Sequence, residues 1–173
     1  ADKVTLKGNG TQAGNILITG DLENEVNIYS GNDINIGKGL VNKSGQIVAE
    51  RNISVNNKAD NKDLLYAKNN ITIGKELNNT GNIQSNGSIK TGGNTTNTGK
   101  ILSEKELEIN GKLTSSGTVY GKNKAEIKGN LDNSGDIQSE GNITAGNTKN
   151  TGRIISDKNI EISGNLETEE TVY

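Results

Sequence analysis

A motif that reads Gly-x-Ile or Gly-x-Val begins again at multiples of eighteen residues along this chain. It starts at Gly45, Gly81, Gly99, Gly117 and Gly135. A repeat of this length marks one supersecondary unit that cannot bury its apolar face alone, so neighbouring copies have to stack on one another. The repeat therefore predicts a solenoid before any other feature is considered.

The register of this repeat extends over nearly the whole sequence. Nine complete coils cover residues 8–169, and a partial coil lies at each end. Most coils have eighteen residues, but the second, which begins at Val26, has nineteen and the eighth, which begins at Gly135, has seventeen. We interpret residues 1–173 as one β-helical repeat segment that was cut from a longer fibre.

Within each coil, apolar or small residues recur two positions apart in three short runs. This is the period of a β-strand rather than of a helix. In the coil that begins at Gly99, the three pairs are Ile101 with Ser103, Leu107 with Ile109, and Leu113 with Ser115. Three strands per coil, each with an inward-facing set, predict an all-β fold: a triangular parallel solenoid of nine coils.

One inward column of the repeat is almost entirely asparagine. An inward amide is costly unless its donors and acceptors are satisfied, but amides stacked at the strand spacing of about 4.8 Å can bond to those above and below. We therefore predict an asparagine ladder inside the solenoid, formed by Asn24, Asn42, Asn61, Asn79, Asn97, Asn133 and Asn150.

The residue types that are rare or abundant fit the same architecture. The chain has no Phe, Trp or Met, as a thin three-sided core requires, and no Pro, which could not donate its amide within a central strand. Glycine and asparagine are abundant, and we expect glycines and Asn-Gly pairs to supply positive φ angles at the corners.

Composition also argues against several classes of function. The net charge is -2, with no basic stripe for nucleic acid, and no apolar run is long enough for membrane insertion. The chain has no His or Cys, so the usual general base, thiol nucleophile and transition-metal ligands are missing. We expect no catalytic residue, no metal site and no cofactor.

A second column breaks the rule that outward positions are polar, and all four tyrosines of the chain lie in it. Two interpretations stay open. These side chains stabilise the sheet through same-face packing, or they form an exposed strip that binds a receptor protein, a glycan or another part of the fibre. This candidate surface-binding stripe, called the tyrosine row below, consists of Tyr29, Val48, Tyr66, Leu102, Tyr120, Ile155 and Tyr173.

The columns together resemble the haemagglutinin repeats of filamentous haemagglutinin-like exoproteins. The pattern Leu-x-Asn-x-Gly-x-Ile is complete in Leu131, Asn133, Gly135 and Ile137. The resemblance covers essentially the whole chain, although these coils are shorter than the family repeat. It implies a right-handed parallel β-helix, exported through an outer-membrane secretion partner by two-partner secretion and displayed as a long fibre.

The resemblance also implies a function and a location. Fibres of this family mediate adhesion to other cells, or they carry a toxin in contact-dependent growth inhibition. The chain lacks the Asn-Pro-Asn-Leu motif of the family's secretion domain. We therefore expect a structural or adhesive stalk segment of a secreted protein on the bacterial cell surface, with a protein or glycan receptor on another cell.

Two other functions remain as alternatives. A carbohydrate-active β-helix enzyme would need carboxylates that converge on one face, and the repeat makes only Glu108 and Glu126 neighbours on an outward column. A self-assembling fibre module would use the strand edges that an uncapped solenoid exposes at its ends.

Overall fold

The computed structural model describes residues 3–6, 10–170 and 172–173, which contain twenty-eight strands and no helix. The strands form three sheets, and every strand pairs in parallel with the strands of the adjacent coils. The predicted all-β triangular solenoid of nine coils is therefore confirmed. The predicted start of the first coil at Gly8 lies outside the described residues.

Each sheet runs along the whole rod. Sheet A contains β1 (Lys3–Leu6), β4 (Asp21–Asn24), β7 (Leu40–Asn42), β10 (Ala59–Asn61), β13 (Leu77–Asn79), β16 (Thr95–Asn97), β19 (Leu113–Ser115), β22 (Leu131–Asn133), β25 (Thr148–Asn150) and β28 (Leu166–Thr168). Sheet B contains β2 (Gly10–Gln12), β5 (Ile28–Ser30), β8 (Ile47–Ala49), β11 (Leu64–Ala67), β14 (Asn82–Ser85), β17 (Lys100–Ser103), β20 (Thr118–Gly121), β23 (Asp136–Ser139) and β26 (Arg153–Ser156). Sheet C contains β3 (Ile16–Ile18), β6 (Ile34–Ile36), β9 (Ile53–Val55), β12 (Ile71–Ile73), β15 (Ile89–Thr91), β18 (Glu106–Ile109), β21 (Lys124–Ile127), β24 (Asn142–Ala145) and β27 (Ile160–Ile162).

The inward side chains form one continuous core along the rod. Ile47 and Ile83 of sheet B, Ile71 and Leu107 of sheet C, and Leu113 of sheet A are all fully buried. Burying one such side chain contributes roughly 1.5–3 kcal/mol. Because each coil covers only its two neighbours, the stability of the rod is approximately a sum over coils and their interfaces.

One coil carries a polar pair inside this core. Thr91 and Thr95 replace aliphatic residues in two adjoining inward columns, and both are buried. Their Oγ1 atoms lie 3.0 Å apart and share a hydrogen bond. Each threonine therefore satisfies the buried hydroxyl of the other, which would lack this partner if only one of the two residues were threonine.

The two irregular coils change length at corners and leave the strands in register. Asn42 pairs with Asn24 eighteen residues before it, whereas Ile47 pairs with Ile28 nineteen residues before it. The additional residue of the second coil therefore lies between Asn42 and Ile47, and Gly45 at this corner has a φ of 83°. A left-handed conformation of this kind favours glycine.

The expectation that corner glycines generally supply positive φ angles is wrong. Gly45 is the one described residue with a positive φ. Elsewhere glycine is required because the backbones of successive coils come very close. A Cβ atom on Gly117 would lie 2.1 Å from the carbonyl oxygen of Gly99, and one on Gly99 would lie 2.0 Å from that of Gly81.

Candidate binding surface

The tyrosine row lies on the outer face of sheet B, and strand pairing aligns its members one above another. Tyr29 pairs with Val48, Val48 with Tyr66, and Leu102 with Tyr120. Gln84 and Gln138 occupy the two positions in between that carry no apolar side chain. Ile155 continues the row on β26. The structure thus brings the predicted residues together on one face.

The members of this row differ in exposure. Tyr29 is 38% exposed and Tyr173, beside the bridge between Ile154 and Val172, is 71% exposed. The other five predicted residues are half-buried, because each lies against side chains of the coils above and below: Val48, Tyr66, Leu102, Tyr120 and Ile155. The row therefore combines same-face packing with a surface that solvent can reach.

Two of the tyrosines are held by carboxylates of the following coil. The hydroxyl of Tyr29 donates to Oε1 of Glu50 at 3.1 Å, and the hydroxyl of Tyr120 donates to Oε1 of Glu140 at 2.7 Å. Both rings therefore lean along the rod in the same direction. Burial and then the hydrogen bond to Glu140 raise the pKa of Tyr120 to about 12.

A row of mostly charged residues, called the flanking row below, follows the sheet B strands at the corner that leads to sheet C. The amide of Lys68 donates to the carbonyl oxygen of Ala49 at 3.0 Å, and that of Lys122 donates to Ser103 at 3.0 Å, so this row rises in register with the tyrosine row. Its members are Glu50, Lys68, Asn86, Glu104, Lys122, Glu140 and Asp157.

Neighbours in the flanking row form ion pairs. Nζ of Lys68 lies 3.0 Å from Oε2 of Glu50, and Nζ of Lys122 lies 3.6 Å from Oε2 of Glu104. The hydrogen bonds from Lys68 and then from Tyr29 lower the pKa of Glu50. The flanking row was not predicted from the sequence, although Glu50 and Glu140 follow the tyrosines that they bind by twenty-one and twenty residues.

The predicted asparagine ladder lies at the corner between sheets A and B and is buried. From Asn24 to Asn97, and again from Asn133 to Asn150, the Nδ2 atom of each residue donates to Oδ1 of the next, for example at 2.8 Å from Asn24 to Asn42. The donors of Asn97 and Asn150 reach instead the hydroxyls of Ser115 and Thr168, both at 3.3 Å. The ladder thus has the predicted self-satisfying geometry, with Ser115 as a weak step.

Serines stabilise the corner between sheets B and C, where the repeat predicts only small inward residues. Oγ of Ser103 lies 2.9 Å from the carbonyl oxygens of both Gly87 and Glu106, which share its single hydrogen. Oγ of Ser139 donates to Gly121 at 2.5 Å and accepts from the amide of Gly141 at 3.1 Å. The recurrence of serine at this position was the signal that could have revealed these bonds.

The outward carboxylates Glu108 and Glu126 are neighbours on sheet C, as the repeat predicts. Lysines neutralise both of them. Lys128 and Lys90 donate to Glu108 at 2.6 Å and 3.2 Å, and Lys124 donates to Glu126 at 2.5 Å. The hydrogen bonds from Lys128 and then from Lys90 lower the pKa of Glu108, so this carboxyl group is ionised near neutral pH.

The described residues contain no group of three or more His, Cys, Asp or Glu side chains arranged to hold a metal ion. Among them there is also no helix with the length and apolar character needed to cross a membrane.

Comparison of the chain with protein-family models, with curated proteins and with solved structures found no match.

Proposed function

We propose that this chain is a stalk segment of a large secreted bacterial exoprotein, with a structural and adhesive role at the cell surface. The observation that carries this proposal is the unbroken pairing of three sheets over the length of the rod. Nine coils at about 4.8 Å each make a rod of roughly 45 Å. Such a unit extends by simple addition of coils, because each coil contacts only its neighbours.

The resemblance to haemagglutinin repeats supports the same role. The four residues that carry it occupy structural positions: Leu131 and Asn133 are buried on β22, Gly135 lies at a tight corner and Ile137 is buried on β23. The residues that carry the resemblance therefore support the proposal that this chain and the family build a fibre in the same way, by stacking coils. Export by an outer-membrane secretion partner belongs to this proposal as a family expectation. Display of a toxin is the other role that the family resemblance implies for such a stalk.

The tyrosine row is the surface that we propose for contact with another cell. Fixed rings lose little conformational freedom on binding, and Tyr120 is fixed by its bond to Glu140. The row lies beside polar and charged groups, as binding surfaces commonly do. A receptor protein or a glycan would reach the row from solvent along sheet B.

The alternative of a carbohydrate-active enzyme is less well supported. Hydrolysis of a glycosidic bond requires a protonated carboxyl group beside an ionised one. Glu108 is instead held in its ionised form by Lys90 and Lys128. We therefore prefer the non-catalytic stalk, and hydrolysis of a polysaccharide by the purified chain would contradict this choice.

The adhesive role can be tested by displaying the chain on a bacterium that does not adhere by itself. We expect the double variant Tyr66→Ser with Tyr120→Ser to reduce attachment to host cells or partner bacteria, while the β-solenoid fold is retained as measured by circular dichroism. The matched control is Thr72→Ser with Thr144→Ser on the outer face of sheet C. Equal attachment by both variants would exclude the tyrosine row as the adhesive surface.

A further inference from the structure

The flanking row has a charge pattern that reverses about its centre. Asn86 lies in the middle, with Lys68 one coil before it and Glu104 one coil after it. Two coils from Asn86, Glu50 and Lys122 again carry opposite signs. A surface of this kind is complementary to a second copy of itself, because a two-fold axis at the central coil brings each charge against an opposite one.

The tyrosine row obeys the same symmetry. The central coil carries Gln84, which pairs with its neighbours on both sides in register. A two-fold axis beside Gln84 would bring the two Gln84 amides together, Tyr66 against Leu102, and Val48 against Tyr120. In the central five coils, aromatic rings would thus meet aliphatic side chains and amides would meet amides, whereas Tyr29 would meet Gln138 one coil further out.

The first outward position of the sheet B strands completes this face. Asn82 is its central residue, with Leu64 one coil before and Lys100 one coil after. The stem of a lysine packs well along an apolar side chain while its ammonium group stays in water. Gln46 and Thr118 meet two coils from the centre, so this row adds no repulsion.

We propose that two copies of this chain pack face to face through sheet B, in antiparallel orientation, with a two-fold axis beside Gln84. Each ion pair of one copy then faces an ion pair of the other with the signs opposed: Glu50 meets Lys122, and Lys68 meets Glu104. The rings of Tyr29 and Tyr120 are already fixed by their carboxylate partners, which lowers the entropic cost of association.

The charges also select the register of the two copies. If one copy is shifted along the other by one coil, Glu50 of one copy meets Glu140 or Glu104 of the other, depending on the direction of the shift. A slide by two coils brings Lys68 or Glu104 against itself. A slide by three coils restores opposite signs, but it overlaps only six of the nine coils and moves Gln84 away from the axis. The full overlap is therefore the favoured arrangement.

The area of this face indicates a weak dimer. Three outward rows span about 13 Å of strand, and nine coils span roughly 45 Å, so each copy contributes about 600 Å². The total of about 1,200 Å² is near the lower limit for a specific interface. We expect a dissociation constant in the micromolar range, and stronger association wherever many rods are displayed side by side.

The antiparallel orientation suggests how the dimer would be used, and this step rests on the proposed function. Fibres anchored on one cell point in the same direction, whereas fibres from two facing cells meet in opposite directions. An antiparallel contact therefore joins fibres of different cells. The purified chain tests the dimer itself, so a dimer without adhesion would contradict the adhesive role and leave the pairing intact.

Charge reversal tests the contacts of the flanking row. Sedimentation of the chain over a wide concentration range should show a monomer–dimer equilibrium, and Lys68→Glu should weaken it at least about tenfold, because two like-charge contacts replace two attractive ones. Lys75→Glu at an exposed corner away from sheet B is the control. A strictly monomeric chain, or equal dimerisation of the two variants, would overturn the proposal.

A fourfold variant sharpens this test. Glu50→Lys, Lys68→Glu, Glu104→Lys and Lys122→Glu together keep opposite signs in both ion pairs of one copy and in the four charge contacts between two copies. We expect the fourfold variant to dimerise with itself but not with the native chain, as measured with differently labelled proteins. Mixed dimers formed as readily as the pure ones would contradict the proposed contacts.

Crosslinking through introduced cysteines tests the relative orientation of the two copies. The native chain has no cysteine, so only the introduced residues can react. Facing sheets lie about 10 Å apart, so a short bis-maleimide is suitable. Gln84→Cys should link two copies, and an equal mixture of Tyr66→Cys and Leu102→Cys should give the mixed dimer. Ile155→Cys should not link to itself, because the two copies of Ile155 lie eight coils apart in the antiparallel dimer. Self-linking of Ile155→Cys would indicate parallel packing, and no link from Gln84→Cys would exclude the proposed axis.

Discussion

The side-chain nitrogen of Asn79 donates to Oδ1 of Asn97 at 2.8 Å, and the same nitrogen lies 3.0 Å from the carbonyl oxygen of Gly81. It also lies 3.1 Å from the carbonyl oxygen of Lys100 in the next coil. One amide therefore ties together its own corner, the corner above it and the next amide of the ladder. This is why a polar side chain is tolerated among the buried leucines and isoleucines.

We expect Asn79→Ala to lower the free energy of unfolding by about 2–4 kcal/mol, because Asn97 loses a donor and two buried carbonyl groups lose a partner. Asn78, the adjacent residue on β13, points outward and is exposed. Asn78→Ala should therefore change stability by no more than about 0.5 kcal/mol. Urea unfolding of both variants measures the difference, and equal values would show that the ladder is not stabilising.

The weak step of the ladder suggests a stabilising substitution. Oγ of Ser115 receives the Asn97 amide at 3.3 Å and donates to the carbonyl oxygen of Gly117 at 3.4 Å, and both contacts are long. An asparagine side chain can reach further, so Ser115→Asn should raise the free energy of unfolding by about 1 kcal/mol. Ser116→Asn, on the exposed corner, is the control. A lower melting temperature for Ser115→Asn would mean that this corner is too narrow for an amide.

Close approach of the corners predicts intolerance to a single methyl group. In Gly117→Ala, the new Cβ atom would lie 2.1 Å from the carbonyl oxygen of Gly99. Since both partners are backbone, relief requires the coils to shift, and we expect a loss of about 2 kcal/mol or more. A Cβ on Gly10 would meet nothing within 4 Å. Gly10→Ala should therefore melt close to the native temperature.

Every inward column could be predicted from the sequence. Alternation along a strand depends only on adjacent residues, and the eighteen-residue period depends only on adjacent coils. Ile83 and Asn79, for example, lie where the repeat places them. The backbone conformation of the corners was not predictable in this way. Glycine recurs at Gly99 and Gly117 for space rather than for a positive φ, and a repeat cannot distinguish these two reasons.

The candidate surface was predictable in position but not in detail. Outward alternation identifies the row of Tyr29 and Tyr120, but the direction in which each ring leans depends on rotamers and on residues of the next coil. The bonds to Glu50 and Glu140 therefore required the structure. The symmetry of the flanking row likewise depends on which charges share a face.

The phenol of Tyr120 makes stability depend on pH in the alkaline range. Its pKa is about 12 in the folded chain, above the value of about 10 for an unfolded tyrosine. Folding therefore favours the protonated phenol, and this contribution is complete below pH of about 10 and is lost as the pH rises towards 12. The phenolate absorbance that Tyr120→Phe removes should appear near pH 12. Its appearance near pH 10 would contradict the burial of this phenol and its bond to Glu140.

The hydrogen bonds that join successive coils point along the rod, as in the bond from the amide of Thr118 to the carbonyl oxygen of Gly99 at 2.9 Å. A pulling force on the ends would therefore load them in tension, and the outermost coil would open first. Each released coil would yield about 60 Å of extended chain in exchange for about 4.8 Å of rod. A tether built in this way would lengthen in steps under load before it breaks, and single-molecule stretching would record one step of that size for each coil.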